Sequence, residues 1–263
     1  MEFSELTLSG VKIKYLTAGE GEKFAVVLQG WATKSDLYSG VISTLAAKYR
    51  VIFPLLPGFG ESDEPESSFE VSDYARLVNE LLAHLDVKRA VFFCHSYGGR
   101  VFYKLNAMED RFTEPDSVML CDVAGILPKK SLKTRLKIKI FKLSKKIFST
   151  RLGRFFFPDA VENMRAKSGS ADYNSASPVM RETLVRSVNE DLTALIPRIG
   201  CSALILWGVK DDAVPLSDAY IINNAVSDSA VIEFAESGHF PFITEAPRFL
   251  AVIRAFCGIE REN

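Results

Sequence analysis

Histidine is scarce in this chain, with only His84, His95 and His239 among 263 residues. Any chemistry that needs an imidazole has to use one of these three. Cysteine is scarce as well: Cys94, Cys121, Cys201 and Cys257 are scattered, with no Cys-x-x-Cys pair. That spacing excludes the zinc modules built on paired cysteines and points to reduced thiols. No Gly-x-Gly-x-x-Gly fingerprint marks a dinucleotide site, so neither a metal nor an organic cofactor is expected. No apolar run approaches the roughly 20 residues of a membrane span. Residues 1–10 have neither a basic start nor a long apolar stretch, so no signal peptide is expected and a cytoplasmic location is. Net charge is nearly absent too, at −1, and the molecule as a whole advertises no nucleic-acid partner.

What is present is ordinary for a soluble globular protein: 48% apolar and 25% charged residues. The length suits one large α/β domain with an insertion. The charge is uneven, however. Residues 128–154 carry 11 Lys and Arg and no Asp or Glu, leaving 21 basic against 33 acidic residues elsewhere.

Residues 6–8 and 11–15 alternate around Ser9-Gly10, which predicts a hairpin. Compact apolar runs follow at 24–28, 50–53, 90–93, 117–120, 203–207 and 230–234. Unbroken runs of that length predict strands buried on both faces of a mostly parallel sheet. Helical spacing lies between them. Tyr74, Leu77, Val78, Leu81, Leu82 and Leu85 predict a helix over 73–85, with Ser72 as its N-cap. Further helices are predicted near 101–108, 216–226 and 247–256. Strand alternating with helix gives a doubly wound α/β sheet with right-handed crossovers. About eighty residues between the strand ending near Cys121 and the next at 203 show no clear strand. They hold the basic stretch, Ser168-Gly169-Ser170 and an apparent helix over 179–195. The expected organisation is a core of 1–125 and 197–263, with 126–196 as a helical cap inserted after the sixth strand.

Between the run at 90–93 and the helix near 101–108 stands Cys94-His95-Ser96-Tyr97-Gly98-Gly99. A Gly-x-Ser-x-Gly-like turn between strand and helix lifts a serine hydroxyl out of the sheet and aims the following amides at the same space. Gly98 and Gly99 supply the small neighbours on one side, and Cys94 stands in for glycine on the other. A serine needs a base. His95 is adjacent to Ser96 on the tight turn and does not face it, and His84 lies within a helix. His239, in Glu236-Ser237-Gly238-His239-Phe240-Pro241 after the last strand, is therefore the candidate base. A carboxylate must hold its tautomer. Asp211 and Asp212 both qualify by following the strand at 203–207, because functional groups gather at the carboxyl ends of strands in open α/β sheets. Asp122, at the end of the preceding strand, ranks below the pair and is expected to cap a turn.

Taken in order, Leu28-Gln29-Gly30-Trp31-Ala32, Leu56-Pro57-Gly58-Phe59-Gly60-Glu61-Ser62, the stretch around Ser96, residues 207–215 and Ser237-Gly238-His239-Phe240-Pro241 resemble the α/β-hydrolase superfamily. The likeness is to its cap-bearing esterase and C–C hydrolase branch, over nearly the whole chain outside the cap. The resemblance implies an eight-stranded sheet, Ser96 as nucleophile, His239 as base and Asp211 as the acid. It also implies an oxyanion hole from the backbone amides of Trp31 and Tyr97. Gln29 stands where the family usually has histidine, and Ala32 where glycine is common. Gln29, Phe59 and His95, on the same strand-end loops, are expected to contact substrate. The implied activity is hydrolysis of a carboxylic ester with an apolar acyl group. The alternatives are C–C bond hydrolysis of a vinylogous diketone, or an inactive ligand-binding member. Leu132, Leu136, Ile140, Leu143 and Ile147 recur at helical spacing among lysines, predicting an amphipathic helix over 129–148. It reads either as a cap helix with solvated lysines or as a weak contact to anionic membrane.

Overall fold

The apolar runs become the strands of one sheet: β1 (Glu2–Leu8), β2 (Val11–Ala18), β3 (Lys23–Leu28), β4 (Tyr49–Pro54), β5 (Arg89–His95), β6 (Glu114–Cys121), β7 (Ser202–Gly208) and β8 (Ser229–Phe234). The computed structural model describes residues 2–127 and 171–260. The predicted amphipathic helix over 129–148 and Ser168-Gly169-Ser170 lie outside the described residues.

The lateral order is β1-β2-β4-β3-β5-β6-β7-β8. β2 pairs antiparallel with both neighbours, and every other pair is parallel. The predicted hairpin is β1–β2. Its turn, Ser9 and Gly10, has φ of 46° and 79°, the double left-handed geometry that matches the twist of paired strands.

Helices cover both faces: α1 (Ser39–Ala46), α2 (Val71–His84), α3 (Tyr97–Ala107), α4 (Pro178–Asn189), α5 (Leu216–Ala225) and α6 (Ala246–Cys257). The period of two along each strand divides the core. In β5, Ala90, Phe92 and Cys94 pack with Leu77 and Leu81 of α2, Val101 and Leu105 of α3 and Ile222 of α5. Val91 and Phe93 point the other way, to Val41 and Leu45 of α1 and Phe249 and Ile253 of α6. Burying side chains such as Phe92 and Phe93, both fully enclosed, contributes about 1.5–3 kcal/mol each.

Two expectations are corrected here, and one helix is added. Ser72 does not cap α2; the helix starts two residues earlier, at Val71, with Glu70 at the N-cap. The Glu70 amide donates to Asp73 Oδ2 at 2.6 Å, a reciprocal capping arrangement that a serine inside the first turn cannot supply. The helical run at 179–195 divides into α4 and a separate 3-10 turn, Thr193–Arg198, where Leu192 and Ile196 join the core beside α3. Finally, α1 went unanticipated; it is short, and its apolar stripe is only Val41, Ile42 and Leu45. Among the described residues, no helix is long and apolar enough to cross a membrane.

Candidate active site

The chain runs from β3 outward to β4, then returns to place β5 on the other side of β3. At such a reversal the loops leaving the two strands diverge and open a crevice at their carboxyl ends. The loop after β3 carries Gln29, Gly30 and Trp31; the turn after β5 carries Ser96.

Ser96 sits at φ 49° and ψ −110°, a region that costs a non-glycine residue about 1–3 kcal/mol. The surrounding backbone holds it there. The Ser96 amide donates to Cys121 O at 3.1 Å, and Ser96 O accepts from Ala124 N at 2.9 Å and Gly99 N at 3.1 Å. The two glycines are required by close approach. A Cβ on Gly98 would lie 2.1 Å from the Leu28 carbonyl oxygen, and one on Gly99 would lie 2.4 Å from Val123 Cβ. Cys94 replaces no such glycine contact: its side chain is sealed in the core, and the sharp turn forms with it in place.

His239 follows β8 on a loop tied down at Ser237. Ser237 O accepts from Lys210 N at 2.9 Å, and Ser237 Oγ donates to Glu245 Oε1 at 2.9 Å. Asp211 follows β7. Its Oδ1 accepts from the amides of Ala213 at 2.7 Å and Val214 at 3.0 Å. Its Oδ2 lies 2.7 Å from His239 Nδ1, and His239 Nε2 lies 2.8 Å from Ser96 Oγ. A carboxylate only accepts, so Nδ1 carries the proton and Nε2 is left to accept from the serine hydroxyl.

The electrostatics follow the same order. Burial works to lower the His239 pKa, but the hydrogen bond and charge of Asp211, with Asp122 and Asp212 behind, outweigh it and hold the ring above its ordinary value. For Asp211, burial works upward, and the His239 contact with the two amides outweighs it, holding the carboxyl below the usual range. Asp212 is exposed, and His84 lies exposed at the end of α2, away from this constellation.

Asp122 is more than a turn residue. It is fully buried, with one oxygen accepting from Gly208 N at 2.9 Å and the other from the Cys121 thiol at 3.3 Å. Burial, then the charge of Asp211, pushes it up to about 7. Asp122, Asp211 and His239 offer possible ligand atoms within 4.8 Å of one another; each of these side chains is engaged in the hydrogen bonds just given.

Around the serine, Trp31 and Tyr97 meet edge to face at 5.1 Å. Tyr97 opens α3, so its amide has no preceding helical turn to bond. Its hydroxyl meets Ser187 Oγ of α4 at 3.0 Å. Phe59 stands behind these rings, edge-on to Trp31 at 4.9 Å and fully buried. His95 is buried too, with Nδ1 2.9 Å from Tyr38 Oη and Nε2 2.8 Å from the His239 carbonyl, so both ring nitrogens are engaged within the protein. Gln29 is also sealed, and neither its Oε1 nor its Nε2 has a hydrogen-bond partner among the described residues. Tyr38 and Thr33 were not anticipated as site residues. Their one signal is a pair of hydroxyl side chains just past β3, which resembles any polar loop.

The model of the alpha/beta hydrolase family matches residues 25–252. The chain belongs to this family. It is a hydrolase of the alpha/beta fold. Among curated relatives, a pimeloyl-[acyl-carrier protein] methyl ester esterase of Aliivibrio fischeri is 26% identical over 255 residues, covering 91% of this chain and 95% of its own length. Among solved structures, an esterase from Exiguobacterium antarcticum superposes with a TM-score of 0.72 at 20% identity, over 97% of this chain and 99% of that one. A variant of a meta-cleavage product hydrolase gives 0.70 at 19% identity, over 98% of each chain. At these identities the structural likeness shows the shared fold.

Proposed function

We infer that this hydrolase cleaves a carboxylic ester with an apolar acyl group through a Ser96–His239–Asp211 triad and an acyl-enzyme. The observation that carries the reading is the unbroken line of hydrogen bonds from Asp211 Oδ2 through His239 to Ser96 Oγ, at 2.7 and 2.8 Å. Support also comes from the family membership and from the esterase activity that the Aliivibrio relative's name carries.

In this mechanism Ser96 Oγ attacks the ester carbonyl carbon while His239 Nε2 takes the hydroxyl proton. Asp211 stabilises the imidazolium and keeps the ring oriented. The carbonyl oxygen gathers charge facing the Trp31 and Tyr97 amides; loss of one such donor costs about 10²–10³ in turnover. The tetrahedral intermediate collapses, the C–O bond to the alcohol breaks, and His239 returns its proton to the departing oxygen. Water then attacks the acyl-enzyme with His239 again as base, releasing the carboxylic acid and restoring Ser96. The half-buried Trp31 ring, backed by Phe59 and flanked by Tyr97, favours an apolar acyl chain. Residues 126–196 are read as a cap over this wall, and the contact of α4 Ser187 with Tyr97 supports that reading.

Hydrolysis of p-nitrophenyl butyrate tests the proposal. The expected result is a burst of one nitrophenolate per protein followed by steady turnover, both absent in Ser96→Ala. A wild-type protein inert toward p-nitrophenyl esters of every chain length would reject it. Turnover of a vinylogous diketone at a rate well above any ester would move the assignment to C–C hydrolysis.

A further inference from the structure

The Trp31 amide can serve an oxyanion only if the peptide that carries it is turned toward the serine. That peptide is Gly30–Trp31. In a trans peptide the carbonyl and the N–H lie in one rigid plane and point in opposite directions within it, so whatever grips Gly30 O also aims Trp31 N–H. Gly30 O accepts from Thr33 Oγ1 at 2.9 Å and from Thr33 N at 3.3 Å. The grip closes a tight turn through Ala32, which is left at φ 50°, a left-handed conformation that a non-glycine residue holds only under constraint.

Thr33 does not act alone. Its Oγ1 is 2.9 Å from Tyr38 Oη, Tyr38 Oη accepts from Gly30 N at 2.8 Å, and the same hydroxyl lies 2.9 Å from His95 Nδ1. Across the His95 ring, Nε2 reaches the backbone carbonyl of His239 at 2.8 Å. The proton order in this chain has one consistent solution. A carbonyl only accepts, so His95 Nε2 carries a hydrogen and Nδ1 is bare. Tyr38 then donates to Nδ1, leaving its lone pairs for the Gly30 amide, and the Thr33 proton lies between Gly30 O and Tyr38 Oη. The buried His95 stays neutral: burial first, then the nearby His239, brings its pKa down to about 3, so no ordinary pH reverses this polarity. Gly30 is itself fitted to the ring, since a Cβ there would lie 2.9 Å from His95 Nδ1. The side chain of residue 29 plays no part; the Gln29 amide is buried and has no partner among the described residues.

We propose that Thr33, Tyr38 and His95 are positioning residues that aim the Trp31 amide and tie it to the loop bearing His239, so that oxyanion donor and general base are held as one unit. This rests on the ester-hydrolase reading above, and the experiment separates the two. Thr33→Val removes the hydroxyl at nearly constant volume, Thr33→Ser keeps it, and Tyr38→Phe removes the central link. For each, kcat and KM are measured with p-nitrophenyl butyrate, together with inhibition by a short alkyl boronic acid that mimics the tetrahedral intermediate. Fluorophosphonate labelling of Ser96 and thermal melting are followed in parallel. Thr33→Val and Tyr38→Phe should lower kcat about tenfold, less than the ~10²–10³ seen when a donor is removed outright. KM should stay within about twofold and boronate affinity should fall in step with kcat, since only interactions made in the transition state behave this way. Thr33→Ser should keep at least half of the wild-type kcat. Equal kcat in Thr33→Val and wild type, a loss in kcat without loss of boronate affinity, or a Thr33→Ser variant as impaired as Thr33→Val would each overturn the inference while leaving Ser96 labelled. A wild-type protein that takes no label at Ser96 brings down the underlying reading and this one with it.

Discussion

Asp122 and Asp211 follow neighbouring strands, β6 and β7, and both carboxyl groups are closed off from solvent. Yet they fall on opposite sides of their ordinary ionisation. Burial pushes both upward. Asp211 meets an imidazole N–H and two amides, and these outweigh burial. Asp122 meets one amide and a thiol, with the Asp211 charge nearby, and is pushed up to about 7. Enclosure does not decide which carboxylate stays ionised. The donors around each one do, because hydrogen bonds to the charged form are what hold a buried carboxylate ionised.

The most severe way to break this contrast is Asp211→Asn. The amide can no longer fix the Nδ1–H tautomer, and kcat toward a p-nitrophenyl ester should fall by about 10⁴. A loss of only a few-fold would mean that Asp122 substitutes for Asp211. A smaller effect should follow Asp122→Asn. His239 must be neutral to accept the serine proton, so activity declines as pH drops through its raised pKa. Removing the Asp122 charge weakens the hold on the imidazolium, and the acid limb of kcat/KM should move to lower pH, with kcat at pH 8 changed only a few-fold. An acid limb moved upward would contradict the placement of Asp122.

The same substitution has a signature in stability. A carboxyl whose folded pKa is above its unfolded value of about 3.9 binds a proton more tightly when folded. Wild-type stability against urea should therefore lose a contribution as pH rises from about 4 to 7. Asp122→Asn should flatten that slope; an unchanged slope would show that Asp122 is ionised throughout. The smallest effect belongs to Asp212→Asn. This carboxylate is exposed, and solvent screens exposed charges strongly, so kcat should stay within about twofold and the acid limb should move less than in Asp122→Asn.

Much of this arrangement was legible before any coordinates. Three histidines left few choices, and each of Ser96, Asp211 and His239 directly follows an apolar run of strand length. The doubly wound topology then brings the ends of separate strands to one crevice, and these three side chains meet there. What escaped was set by contacts between loops distant in sequence. Phe59 and His95 stand at strand ends too, and so read as site residues, but tertiary packing turns Phe59 behind Trp31 and engages both nitrogens of His95. Thr33 and Tyr38 gave no warning, because a hydroxyl in a loop looks the same whether it faces water or grips a carbonyl. Helix α1 and the Glu70 cap were missed for a related reason: a short helix draws its stability from the surface it covers more than from its own residues.

The central claim is that Ser96 is a nucleophile activated by His239. Mass spectrometry of the intact and digested protein after treatment with a fluorophosphonate tests it most directly. The account expects one adduct per chain, located on Ser96, abolished in Ser96→Ala and lost in His239→Ala. An adduct on another residue, or labelling that persists undiminished without the Ser96 hydroxyl, would contradict it.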